Sequence, residues 1–215
     1  SNTILSIVNP GDRIVCINNV YADTYRLLRG LCSRFGIETI FVDGADVAEV
    51  GRSLSGAKLL YLESPNTWMF EEQDLKSLAT LARANNVTTV VDNSWASPIN
   101  QSPLSLGIDL VVHSATKYIS GHSDTVAGVV VGGAALVERI DQTVRPYLGA
   151  SLSAQDAARL IRGLRTLPIR IQRHHESGLT IATRLAARND VVRVCHPGLQ
   201  PKKFSHLSGY GSLFS

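Results

Sequence analysis

Two stretches decide the fold class: Thr88-Thr-Val-Val-Asp-Asn-Ser-Trp95 and Leu110-Val-Val-His-Ser-Ala-Thr-Lys-Tyr118. Each begins with a short run in which consecutive residues are apolar and often β-branched, where a half-exposed strand would alternate apolar and polar. Continuous runs of this kind belong to strands covered on both faces. Each stretch then breaks into acid, amide, hydroxyl and amine side chains. In a parallel sheet such a break marks the carboxyl edge of the strand, where ligands bind.

Working outward, the same pattern recurs at 13–17, 39–42, 58–62 and 127–131. Helical spacing fills the gaps: 24–35, closed by Gly36, and 71–86, with apolar residues at Leu75, Leu78, Ala79, Leu81 and Ala82. This alternation predicts an α/β fold, a mostly parallel sheet with helices on both faces. After Gly133 the rhythm changes, and 134–148, 154–167 and 169–188 all read as helical. Pro168 is expected to break or bend the last pair. The reading therefore divides the chain into a large unit, 1–168, and the start of a smaller C-terminal α+β unit, 169–215. In the second unit Val191-Val-Arg-Val194 is strand-like. Residues 1–8 are apolar at helical spacing and 211–215 form another strand-like run, so both ends read as cuts through a longer protein.

Composition narrows the function classes. The 215 residues are 44% hydrophobic and 18% charged, with a net charge of +3, which is an ordinary globular balance. The densest basic stretch, 162–173, interleaves apolar residues at helical spacing. It reads as a solvated helix face, so no nucleic-acid partner is expected. No apolar run approaches the length of a membrane span, and no secretory signal opens the chain, so a cytoplasmic protein is expected. Cys16, Cys32 and Cys195 are too few and too scattered for a disulfide framework or a zinc site, and no metal is expected. No G-x-G-x-x-G follows the first strand and no G-x-x-x-x-G-K-[ST] occurs, which argues against the common nucleotide-binding loops.

The polar residues at the strand ends are the candidate site. They are Asn18 to Tyr21 after the first strand, Glu63 to Asn66 after the third, Asp92 to Trp95 after the fourth and His113 to Tyr118 after the fifth. Together they offer what a pyridoxal 5′-phosphate site requires. A lysine joins the cofactor's aldehyde, a carboxylate keeps the pyridine nitrogen protonated, hydroxyls bind phosphate and a flat ring stacks on the cofactor. Lys117, Asp92, Ser114 with Thr116, and Tyr21 supply these parts. Spacing alone leaves the cofactor open.

The segments Tyr61-Leu-Glu-Ser-Pro65, Val91-Asp-Asn-Ser-Trp-Ala96, Ser114-Ala-Thr-Lys-Tyr118 and Gly121-His-Ser-Asp124 resemble, in order and spacing, the Cys/Met-metabolism family of fold-type I pyridoxal-phosphate enzymes. Within it, Arg162-Gly-Leu-Arg-Thr-Leu167 and Arg173-His-His-Glu-Ser177 are most similar to the bacterial cystathionine β-lyase branch. The resemblance implies that Lys117 is the Schiff-base lysine and Asp92 the partner of the pyridinium nitrogen. It also implies that Ser114 and Thr116 are phosphate ligands, and that Tyr21 stacks on the ring near the substrate. His122 and Asp124 read as structural. His174 and His175 point about 100° apart on a helix and make a poor ligand pair. Asn66 stands one position earlier than the family's Asn.

The implied activity is β-elimination of cystathionine to homocysteine, pyruvate and ammonia, a step of methionine biosynthesis, with γ-acting relatives as the alternative. The implied partners are an amino-acid substrate and further copies of the chain in a dimer or tetramer. The family's phosphate-binding loop and neighbouring-subunit ligands are expected before Ser1, and its carboxylate-binding arginine beyond Ser215. Weak cofactor retention and little turnover are expected of these 215 residues alone.

Overall fold

The computed structural model describes residues 1–200, 204 and 206–215. Its centre is a six-stranded sheet in the order β2-β1-β3-β4-β5-β6. The strands are β1 (Arg13–Ile17), β2 (Glu38–Val42), β3 (Ala57–Glu63), β4 (Thr88–Asp92), β5 (Leu110–Ser114) and β6 (Gly128–Gly132). The first five run parallel and β6 pairs antiparallel with β5. Residues Ile14 to Ile17 are each 0% exposed. Neighbours in a strand face opposite ways, so burial of all four means that both faces are covered.

The helices are α1 (Asn2–Ile7), α2 (Ala22–Arg26), α3 (Val47–Ser53), α4 (Leu75–Ala84), α5 (Ser97–Asn100), α6 (Ala134–Thr143), α7 (Arg145–Leu148) and α8 (Ala154–Ala186). Helices α3 and α4 pack on each other and on β2 and β4, while α1 and α6 pack on each other and on β3 and β6. Side-chain caps fix several starts. Asp46 accepts the Ala48 and Glu49 N–H groups, Asp74 accepts that of Ser77 and Ser153 accepts that of Asp156.

Four helical expectations need correction. The predicted 24–35 helix starts at Ala22 and widens into a π-helical turn at Leu27–Cys32, before Gly36 ends it with φ +71. The predicted 71–86 helix begins only at Leu75, because Asp74 caps it, and residues 70–74 before it form no regular structure. Residues 134–148 divide at Val144 into α6 and α7. The break expected at Pro168 is absent, for α8 runs through it as one helix of 33 residues. Pro168 has no N–H to give to the Leu164 carbonyl four residues earlier; the neighbouring Gly163 carbonyl accepts from the Thr166 hydroxyl and the Arg170 guanidinium, at 3.2 and 2.8 Å. The division at 168/169 thus lies within α8. Residues 191–194 and 211–215 form no strand. Next to them, Cys195 and Ser215 exchange a pair of backbone hydrogen bonds, and the Val191 N–H donates to the Arg188 carbonyl.

All three cysteines are buried and unpaired. Among the described residues, no helix is long and apolar enough to cross a membrane.

Candidate active site

The parallel register carries the polar strand ends to one edge. Glu63 lies opposite Asp92 across β3 and β4, and Asp92 lies opposite Val112 across β4 and β5. Beyond β5 the chain makes a turn that presents Lys117. The Lys117 N–H donates to the Ser114 carbonyl at 3.0 Å, and the Gly121 N–H donates to the Lys117 carbonyl at 2.7 Å. The Lys117 ammonium sits 4.7 Å from the centroid of the Tyr21 ring. A cavity of about 1030 Å³ opens here, lined by Tyr21, Glu63, Asp92, Ser114, Thr116 and Lys117 among others.

The five residues singled out by sequence therefore surround one cavity. Asp92 is half-buried and accepts the Ser94 N–H at 2.9 Å, while Ser94 Oγ accepts the Ser114 N–H at 2.6 Å. These bonds tie the ends of β4 and β5 together. Among the described residues, neither the Lys117 ammonium nor the Ser114 hydroxyl has a hydrogen-bond partner, which leaves both open to a ligand. Thr116 differs. Its hydroxyl donates to the Ala127 carbonyl at 3.3 Å and accepts the Ala127 N–H at 2.9 Å, so it also serves to bring the start of β6 to the turn.

Two residues not singled out as site residues also bear on this edge. Glu63 is 8% exposed, and its carboxylate accepts the Tyr21 N–H at 2.8 Å and the Thr67 hydroxyl. Burial and the neighbouring Asp92 charge raise its pKa to about 7, against the lowering pull of those two hydrogen bonds and of Lys117. Its signal was visible as an acid closing a buried strand. Arg170, on α8, donates to the carbonyls of Tyr118 at 2.7 Å and Ile119 at 3.5 Å, directly after Lys117. Nothing local in the sequence announces a contact across that separation. His113, buried on β5, is held below the usual imidazole pKa by burial, with the Asp92 charge acting the other way.

Of the remaining motif residues, Asn66, Asp124 and His174 also line the cavity, and each is held by partners of its own. His122 Nδ1 meets the Ser120 carbonyl at 2.6 Å, and Asp124 accepts from Ser120 and Arg162. Asn66 pairs with Glu71 through both its backbone and its carboxamide. His174 packs on Tyr118, whereas His175 Nδ1 accepts the Tyr210 N–H at 3.0 Å. Among the described residues no group of His, Cys, Asp and Glu could hold a metal ion. The tail closes on the same edge. The Ser212 N–H donates to the Tyr118 hydroxyl at 3.0 Å and Trp95 Nε1–H to the Leu213 carbonyl at 3.0 Å.

An unpaired amine under an aromatic ring, a carboxylate on the next strand and an open hydroxyl form a donor set that fits pyridoxal 5′-phosphate. Comparison with known proteins agrees. The family model described as "Cys/Met metabolism PLP-dependent enzyme" matches residues 1–209. The chain is similar to L-methionine gamma-lyase of Pseudomonas putida, 40% identical over 93% of this chain and 50% of that protein. It is also similar to cystathionine beta-lyase of Coxiella burnetii, 39% identical over 92% of this chain and 52% of that protein. A crystal structure of cystathionine gamma-lyase from Lactobacillus plantarum complexed with L-serine superposes with a TM-score of 0.94. Its sequence is 35% identical, and the alignment covers 99% of this chain and 57% of that one. The chain spans about half the length of the curated relatives it matches.

Proposed function

The chain belongs to the Cys/Met-metabolism PLP-dependent enzymes, and we propose that it is the cofactor-anchoring part of a carbon–sulfur lyase acting on cystathionine by β-elimination. The family uses pyridoxal 5′-phosphate and acts on amino acids. The observation that carries the reading is the Lys117 ammonium 4.7 Å from the Tyr21 ring on the strand edge that also bears Asp92. When bound, pyridoxal phosphate supplies an electron-accepting ring for the pair left behind when a substrate C–H bond breaks.

The chain's own residues supply the rest. Lys117 would be the anchor, and its Nζ would take the proton from the substrate's α-carbon and return one. Asp92 is the carboxylate that would hold the pyridine nitrogen protonated. Tyr21 provides the stacking ring, and Ser114 and Thr116 are the hydroxyls for phosphate, Thr116 after turning its proton from the Ala127 carbonyl. Further copies of the chain would complete the site. The division at 168/169 is proposed to separate the cofactor-binding unit from the start of the smaller one.

The relatives carry both β- and γ-acting names, and a γ-acting lyase or synthase is the alternative, favoured by the identity to the Pseudomonas putida protein. Incubation of the PLP-loaded protein with cystathionine separates the two. Pyruvate supports β-elimination, whereas 2-oxobutyrate overturns it in favour of γ-elimination. The anchor has its own test. Borohydride should trap the cofactor on Lys117, and Lys117→Ala should abolish the visible band and lower turnover by roughly a thousandfold or more. An unchanged band in that variant would remove Lys117 from the role.

A further inference from the structure

Tyr21 is 44% exposed, and the helix that follows it, α2, has five residues and none buried. Packing therefore does little to fix the ring that lies over Lys117. What fixes it is a circuit of hydrogen bonds between the ends of β1 and β3, which are neighbours in the sheet. The Tyr21 N–H donates to Glu63 Oε2 at 2.8 Å, the Thr67 hydroxyl donates to Glu63 Oε1, and the Thr67 N–H donates to the Asn19 carbonyl at 2.8 Å. A buried carboxylate is costly unless its oxygens are satisfied. Here each oxygen takes one donor, from two different loops.

We propose that Glu63 is a positioning residue that holds Tyr21 over Lys117 by joining the Tyr21 backbone to the Thr67 loop. The proposal deepens the reading of Lys117 as anchor and rests on it. The groups around the carboxylate are Asp92 on β4, Lys117 beyond β5, Cys16 on β1 and Tyr61 on β3. Burial and Asp92 together favour its protonated form, while the two donors and Lys117 favour the carboxylate. The bridge therefore does not demand full ionisation. Glutamine can reproduce it, with its carbonyl toward the Tyr21 N–H and its amide nitrogen toward the Thr67 hydroxyl.

The test uses the PLP-loaded protein and the visible circular dichroism of the bound cofactor, which reports how the ring is held. Glu63→Leu should leave borohydride trapping on Lys117 intact, reduce the dichroism amplitude by half or more, and raise the cofactor Kd roughly tenfold, the effect of losing one charged hydrogen bond. Glu63→Gln should restore both amplitude and affinity. Thr67→Val, which removes one arm at a half-buried site, should give a smaller loss, and it decides the matter if Glu63→Leu does not fold. Wild-type dichroism and affinity in Glu63→Leu or Thr67→Val would overturn the proposal, as would a Glu63→Gln variant as impaired as the leucine one. Failure of the anchor reading looks different, because trapping would then miss Lys117 in the unmutated protein.

Discussion

The two ends of α8 meet the rest of the chain in different ways. Toward its start, the helix lies directly on backbone. A Cβ on Gly163 would come within 2.3 Å of the Ile119 carbonyl oxygen and 2.5 Å of that of Ser120. Leu160, Leu167 and Ile171 close over Ala115 and Ile119 there, and Arg170 ties down the Tyr118 and Ile119 carbonyls. Toward its end, the helix meets a tail held by rings and single hydrogen bonds. Gly178 faces Gly211 and Ser212, His175 accepts the Tyr210 N–H, and His196 packs edge-on against Trp95, Tyr210 and Phe214. The contrast teaches that the turn bearing Lys117 meets α8 through tightly packed main chain, whereas the tail that closes over it is held largely by rings and side-chain hydrogen bonds.

The sharpest way to break this contrast is one methyl group. Gly163→Ala should destabilise the protein by about 3 kcal/mol in chemical denaturation, because the obstructing atoms are backbone and cannot rotate away. A loss below about 1 kcal/mol would show that α8 docks more loosely than described.

The strand edge that carries Lys117 and the tail should also differ in pH response, by an effect of up to about 3 kcal/mol. Folded Glu63 has a pKa of about 7, against 4.5 for an unperturbed glutamate. Stability from this group is thus complete below pH 4.5 and lost as the pH rises to about 7, since the unfolded chain releases its proton first. His196 acts in the opposite sense. Its ring is 0% exposed, Nδ1 accepts the Gly198 N–H, and burial, then His175, lowers its pKa below 6.5. Its contribution is present above pH 6.5 and lost on acidification, and His113 shares that direction. Denaturation of the cofactor-free protein across pH should lose its alkaline limb in Glu63→Gln and part of its acid limb in His196→Gln. Unaltered limbs would remove either residue from the account.

Arg170→Leu should cost about 2 kcal/mol, the typical penalty for stranding carbonyls that had a charged donor. It should also accelerate amide exchange in the turn after Lys117, and unchanged exchange there would show that the clamp is dispensable. The smallest effect is expected at Gly178→Ala. Its Cβ would touch Ser212 Cα at 3.0 Å, a contact the tail can yield to. Gain in helix propensity should offset the crowding, leaving a change within about 0.5 kcal/mol. A loss as large as that at Gly163 would erase the distinction between the two ends.

The same contrast explains how much of the molecule was legible in the sequence. All six strands of the sheet were readable as apolar runs; in the central β1, β3, β4 and β5 the run reflects burial, whereas the edge strands β2 and β6 are only partly covered. Residues 88–91 and 110–112 gave β4 and β5 almost to their ends. That Lys117, Asp92, Ser114, Thr116 and Tyr21 line one cavity was legible in the same way, since a strand's end locates its side chains. The helices were harder. Pro168 reads as a stop, but α8 runs through it, packed at Leu167 and Ile171 on either side. The tail read as strands because Val191, Val192 and Val194 are β-branched, yet Val192 is fully exposed and no ladder forms. Its position comes from His175, His196 and Trp95, distant residues whose meeting no local pattern records.

The unbroken course of α8 has a mechanical consequence. A helix of 33 residues is about 50 Å long, and it runs through Pro168 without interruption. One element therefore spans from the carbonyls of the lysine turn, met at Gly163, to the tail, met at Gly178. The two regions share a single spine.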